Sequence, residues 1–348
     1  MTDWKRLKVG YSPLSADFSQ PGDRRRFCHY AESRGVPYEI ADPSKAYDLV
    51  VVTEGGDLSV WSDYPRGKVV FDFVDPYLSV PRTDPKGLLR GLARFVAGQS
   101  RRLQLNHWKA LEGMCRRADA VICSTEEQRR TVLPFCHNAH IILDIHSMYG
   151  AAKVDYAAGD VFQLVWEGLP HNLVFFREIE DVLRGLASRR HLRLHLVTAL
   201  RYRQYADKYR SRRAEDLARH LSVPVRLYEW NEQTCPLILA AGDLALIPIP
   251  LDDPFAAGRP ENKLLLLWRM GVPTVVSATP AYSRAMARAG LSMACRDTEE
   301  WRESLEKYMD DEEARRDAGR RGRDFVEANY GEERVLAQWD ELFQSVLT

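Results

Sequence analysis

Arg259 and Lys263 flank a proline in the stretch PLDDPFAAGRPENKLLLLWRMGVPTVVS, residues 250 to 277. Proline suits a first helical position, because the N–H it lacks would have had no intrahelical partner there. The stretch therefore predicts a helix over 260–270, with the N–H groups of Glu261, Asn262 and Lys263 pointing out of its start. Outward amides, the positive end of a helix dipole and two cations make a site for a phosphate-bearing anion. Behind them Leu264 to Trp268 is apolar nearly all round, as in a helix buried inside a layered domain, and Gly271 ends it.

The elements that must hold such a site alternate along the whole chain. Short apolar runs read as strands over 7–11, 38–40, 49–53, 69–73, 120–124 and 141–145, and again over 163–166, 194–198, 225–228, 244–249, 274–277 and 293–295. Helices are expected between them, among them 178–187, 205–220 and 236–241, then 298–309, 312–329 and 332–347. Alternation of this kind indicates parallel sheets covered on both faces, in which ligands gather at the carboxyl ends of strands. The polar segment YGAAKVDYAAGD (149–160) reads as an interdomain linker. The expected organisation is 1–155, 156–330 and a closing helix over 331–348.

At 348 residues the chain is long for one core and suits two domains. Lys plus Arg and Asp plus Glu each number 49, so no bulk charge points to nucleic acid. No charged-then-apolar leader and no spanning apolar run is present, which predicts a cytoplasmic protein. The six cysteines form no C-x-x-C pair, as expected of reduced thiols, and Cys136, His137 and His140 lack the second ligand pair of a finger-like metal site. The first strand is followed by SPLSADFSQPGD without G-x-G-x-x-G, which argues against a dinucleotide oxidoreductase.

Two cationic stretches remain. Arg24, Arg25 and Arg26 follow the long loop after the first strand and cannot share one helix face, so they are read either as anion-binding, Arg24 and Arg25 toward an acceptor, or as partly solvated. Residues 82–102 carry Arg82, Lys86, Arg90, Arg94, Arg101 and Arg102 against Asp84 alone. If helical, Lys86, Arg90 and Arg94 share a face and Leu88, Leu92, Phe95 and Val96 occupy another. This is either a basic helix in peripheral contact with an anionic membrane surface through 86–102, or a solvated face over a core-facing stripe.

The order polar loop, Lys263, apolar helix, G-x-P, V-V-S and Tyr282 resembles the donor-binding segment of GT-B glycosyltransferases, especially the retaining, sugar-nucleotide-dependent branch. The paired glutamates of that branch would fall on Gly258 and Leu266, which are not acidic. The resemblance implies an α/β fold of two Rossmann-like parallel-sheet domains facing a cleft, with the last helix crossing back to the first domain. It implies an acceptor-binding first domain, a nucleotide-sugar-binding second domain and transfer to a glycan or lipid-linked acceptor, as in bacterial surface polysaccharide synthesis, with no cofactor beyond the donor. A departing nucleoside diphosphate must be stabilised by a metal or by fixed cations. No D-x-D pair occurs, so Arg259 and Lys263 are the expected device and no metal is expected. Gly168 in WEGLPHN looks like the donor-side loop, and Glu229 with Trp230 could receive the base. FDFVDPYL resembles the strand end that carries a carboxylate facing the donor sugar, which falls on Asp75, with Glu54, Asp57 and His146 behind it. The alternative is a GT-B-like nucleotide-binding or scaffold protein that has lost catalysis.

Overall fold

Runs of Val, Ile, Leu and Phe that must be covered on both faces build two six-stranded parallel sheets in the computed structural model. It describes residues 3–18, 20–83, 85–96, 98–104, 106–203 and 211–348, and only the backbone of 85–89 and 203. The chain divides into two compact units. One holds residues 1–145, 258–260 and 332–348; the other holds 146–257 and 261–331.

The first unit contains β1 (Val9–Ser12), β2 (Glu39–Ile40), β3 (Leu49–Thr53), β4 (Lys68–Asp72), β5 (Ala120–Cys123) and β6 (Ala139–Ile141), in the order β2-β1-β3-β4-β5-β6. Alternation along β3 splits the core. Leu49 and Val51 join Phe27, Tyr30, Leu336, Trp339 and Phe343 on one face, while Val50 and Val52 join Trp61, Phe71, Leu111 and Met114 on the other. The last helix, Glu332–Leu347, thus supplies part of the first unit's core. Its polar side is tied to the helix Phe27–Arg34 by His29 to Glu332 (2.6 Å) and Arg34 to Asp340 (3.0 Å).

The expected strand 141–145 is instead Ala139–Ile141. Beyond it the backbone leaves the ladder, because the Ile142 carbonyl accepts from Arg26 (2.9 Å) and the Ile145 N–H donates to Arg25 O (2.9 Å).

The second unit contains β7 (Phe162–Glu167), β8 (Leu192–Thr198), β9 (Arg201–Arg203), β10 (Ser211–Arg213), β11 (Val225–Glu229), β12 (Leu244–Ile247), β13 (Thr274–Ser277) and β14 (Ala294–Cys295). Its sheet runs β11-β8-β7-β12-β13-β14, and β9 and β10 form a separate antiparallel pair. The division of units falls at 145/146 rather than 155/156. Lys153 is tied to the second unit by its N–H to Met270 O (2.8 Å) and its Nζ to Gly242 O (2.7 Å), and Tyr156 by its hydroxyl to Gly271 O (2.9 Å).

The helix expected over 205–220 is only Ala214–Ala218, and residues 204–210 lie outside the described residues. Arg and Tyr alternate with period two in 201–203, which suits a strand, and the Ala214 N–H closes the pair on Leu200 O (2.9 Å).

Candidate functional site

The helix expected over 260–270 spans Asn262–Arg269, two residues later than Pro260 would have set it. Its first rung is Leu265 N–H to Glu261 O (3.0 Å), which makes Glu261 the N-cap and leaves Pro260 just ahead of the cap. Five consecutive residues, Leu264 to Trp268, are buried, so the helix is fixed by packing. Gly271 stops it with φ 73°, and the Val272 N–H returns to Leu267 O (3.1 Å).

Glycine, lysine and tryptophan meet at this helix start. Lys263 Nζ lies 4.9 Å from the centroid of the buried Trp166 ring, whose face attracts the ammonium. A Cβ built on Gly168 would come within 2.5 Å of Lys263 Nζ and 2.7 Å of the Trp166 ring. Two residues 95 positions apart therefore share one spot only because position 168 has no side chain. The backbone there is held by the Gly168 N–H to Val197 O (3.2 Å) and by Thr198 Oγ1 donating to Gly168 O (2.7 Å).

The sheet topology bears on the same spot. Along the sheet β11-β8-β7-β12-β13-β14, the direction in which successive strands are added reverses at β7, next to β12. Ligands of such sheets bind beyond the carboxyl ends at that reversal. Gly168 follows β7, and the Lys263 helix follows β12.

The other donor-side candidates are placed as follows. Asn262 is the first helical residue and half-buried, whereas the Glu261 side chain is buried and its charge reaches Tyr330. Arg259 is half-buried and groups with the first unit by its contacts. Glu229 ends β11, is exposed, and accepts from the Leu200 N–H (3.1 Å). Trp230 is half-buried, and its backbone N–H donates to Thr198 O (2.9 Å). His146 is buried in the second unit with its ring edge-on to Tyr149 at 6.4 Å.

Carboxylates dominate the first unit's strand ends. The Asp75 N–H donates to Glu54 Oε2 (3.1 Å), which brings these two candidates together. Burial, then the charge of Asp75, pushes the Glu54 carboxyl well above the usual carboxylate range. Gln128 fixes the loop by donating to Phe73 O (2.8 Å) and Asp75 O (3.1 Å). Asp57, by contrast, is an N-cap: it accepts from Ser59 N–H (3.1 Å) and Arg101 N–H (2.8 Å).

Arginines surround this pair in a way the sequence did not suggest. Arg94 donates to the carbonyls of Glu54 (3.1 Å), Gly55 (3.2 Å) and Gly56 (2.9 Å), and Arg90 lies over the Tyr77 ring at 4.0 Å. Nearby, burial and these two guanidinium charges hold His107 down at about 3. Of the arginine triplet, Arg25 and Arg26 are buried and Arg24 is half-buried. Arg26 grips Asp72 (2.6 Å) and Asp144 (3.2 Å), so it is an internal tie rather than an acceptor contact. The Cys136 thiol donates to the carbonyls of Ala118 (3.5 Å) and Asn138 (3.6 Å), as an ordinary buried thiol does.

The fold is the two-domain α/β fold of the GT-B glycosyltransferases. The sequence matches no protein-family model and no curated protein sequence. Among solved structures it is similar to HepE of Anabaena in complex with UDP-glucose, with TM-score 0.62, 14% identity, and coverage of 98% of this chain and 100% of HepE. It is also similar to WaaG, a glycosyltransferase involved in lipopolysaccharide biosynthesis, with TM-score 0.57, 13% identity, and coverage of 96% and 99%. TarM of S. aureus gives TM-score 0.60 at 13% identity over 85% of this chain, which spans about half (54%) of TarM's length.

Proposed function

We propose that the protein is a glycosyltransferase that moves a sugar from a nucleotide-sugar donor to a glycan or lipid-linked acceptor, using cations rather than a metal at the leaving group. The observation that carries this reading is the Lys263 ammonium seated against Gly168 at the reversal point of the second sheet. A diphosphate there would receive that ammonium and the amides of the first helical turn, which stabilise charge as the anomeric C–O bond breaks. The UDP-glucose bound to HepE suggests uridine as the base.

In the first unit, Asp75 is assigned to accept the acceptor hydroxyl's proton as the new glycosidic C–O bond forms. Glu54 stands beside it, its carboxyl held above the usual carboxylate range by burial and by the charge of Asp75. Surface polysaccharide or glycoconjugate synthesis in the cytoplasm is the setting that suits this chemistry.

Thermal unfolding in the presence of UDP, GDP, ADP, CMP or dTDP tests the donor half. UDP should raise the midpoint most. Lys263→Ala should remove that shift, since a charge-assisted contact of about 1.5–3 kcal/mol is lost. No shift with any nucleoside diphosphate would end the proposal.

One feature favours a second reading. Leu266 is buried in the helix core where the related branch carries a glutamate, so a nucleotide-binding protein without turnover fits the same site. UDP release from UDP-sugars with a panel of acceptors separates the two.

A further inference from the structure

Between the end of β4 and Tyr77 the segment Phe73-Val74-Asp75-Pro76 belongs to no strand or helix, so no sheet ladder fixes Asp75. Three other restraints do. Pro76 confines the residue before it to extended backbone, and with φ −80° and ψ 46° it centres a tight turn closed by the Tyr77 N–H on Asp75 O (2.8 Å). The Asp75 N–H is held by Glu54 Oε2 (3.1 Å). The third restraint is Gln128, in the first turn of the helix Glu126–Val132.

Gln128 is 1% exposed. Its Nε2 donates to Phe73 O (2.8 Å) and to Asp75 O (3.1 Å), and its Oε1 accepts from the Ser124 N–H (2.6 Å). One buried amide thus ties the end of β4 to the end of β5. The task needs an amide: a carboxylate cannot donate, and an apolar side chain can neither donate nor accept. The two peptide groups that flank the Asp75 Cα are now pinned, one through its N–H by Glu54 and one through its carbonyl by Gln128. With both peptide planes fixed, the direction in which the half-buried Asp75 side chain leaves the backbone is fixed as well.

We propose that Gln128 is a positioning residue for sugar transfer, one that sets where the Asp75 side chain stands when it takes the acceptor's proton. It acts through the main chain of Asp75. This rests on the glycosyl-transfer reading, in which Asp75 is the base. Displacement of a reacting group by about 1 Å can cost about a hundredfold in rate, so a group remote from the proton can still govern its transfer.

UDP release from UDP-glucose by the full chain, with water as the acceptor, tests this. In that reaction the bond from the anomeric carbon to the diphosphate oxygen breaks, the bond to the water oxygen forms, and Asp75 takes the water's proton. Gln128→Leu should lower kcat about ten- to hundredfold, while KM for UDP-glucose and the thermal shift with UDP stay as in wild type. Gln128→Glu separates positioning from folding. Its protonated acid donates one hydrogen bond and still accepts from the Ser124 N–H, whereas its carboxylate faces two carbonyl oxygens and donates nothing. The variant's kcat relative to wild type should therefore fall about tenfold between about pH 5 and about pH 9. Arg129→Met is the control. It removes the tie from the same helix to Ala139 O (2.9 Å) and leaves the 73–75 segment alone, so it should lower the melting midpoint without changing kcat.

Wild-type kcat in Gln128→Leu, or a Gln128→Glu ratio that is flat with pH, would overturn the proposal. So would an equal loss of kcat in Arg129→Met, which would make the effect a general loosening of the helix. Wild-type protein that is stabilised by UDP yet releases none from UDP-glucose removes the base assigned to Asp75 and this proposal with it. Wild-type turnover beside unaffected Gln128 variants removes this proposal alone.

Discussion

The two sheets have the same number of strands and the same parallel sense, yet the loops that follow their central strands differ. The first unit ends its strands in carboxylates, Glu54, Asp72 and Asp75, each close to an arginine or to another acid. In the second unit a glycine follows β7, and a lysine reaches it from a helix held by five buried apolar residues. The reversal of strand order also differs. It lies between β1 and β3 in the first sheet and between β7 and β12 in the second. A common frame thus presents paired carboxyl groups in one unit and a lysine beside a glycine in the other, and the loops after the central strands make that difference.

The largest effect is expected where the first unit's charges are buried. Arg26 is fully buried against Asp72 and Asp144, so Arg26→Met strands two carboxylates without their cation. Removing one partner of a buried ion pair costs about 3–5 kcal/mol. Denaturant unfolding should show a loss of that size. A loss under about 1 kcal/mol would mean that the first strand ends are not organised by charge.

Glycines sharpen the contrast at an intermediate scale. A Cβ on Gly55 would meet the Leu14 backbone at 2.5 Å, and backbone cannot step aside. A Cβ on Gly168 would meet the flexible tip of Lys263 at 2.5 Å and the Trp166 ring at 2.7 Å. Gly55→Ala should thus lower stability by about 1–3 kcal/mol and leave UDP affinity alone. Gly168→Ala should lower stability less and weaken UDP binding about tenfold by moving the ammonium, as calorimetric titration would read. Equal effects of the two on UDP affinity would erase the distinction between the units.

Much of this frame was legible in the sequence, because strands buried on both faces announce themselves as short apolar runs. β3 and β13 fall at 49–53 and 274–277 as expected. Lys263 and Gly168 were readable as separate candidates, but not as neighbours, since nothing local tells that β7 and β12 lie side by side. The direction of the 85–96 helix was illegible for a related reason. Its two stripes were plain, but which faced inward depended on the carbonyls of Glu54 to Gly56, about 40 residues away along the chain. Asp57 has a structural task that was legible locally: an Asp two residues before a Ser at a helix start is what an N-cap requires.

The smallest effect, and the one of opposite sign, belongs to Glu54. Burial and the charge of Asp75 raise its carboxyl above the ordinary value, so the folded state holds this proton more tightly than the unfolded chain. Stability is then highest, as far as this group goes, below the unfolded value near 4.3, and it declines as pH rises toward the folded value. Glu54→Gln removes the charge that burial opposes and keeps a side chain able to accept from the Asp75 N–H. The variant should therefore melt higher than wild type at neutral pH, by roughly 1–3 °C, and the gain should vanish near pH 4. UDP affinity should not move, because the anion site proposed above is built from Gly168 and Lys263. If the gain instead grows toward acid, the pair is held as two carboxylates by Arg90, and the first unit's strand ends depend on a cation just as the site proposed for the second unit does.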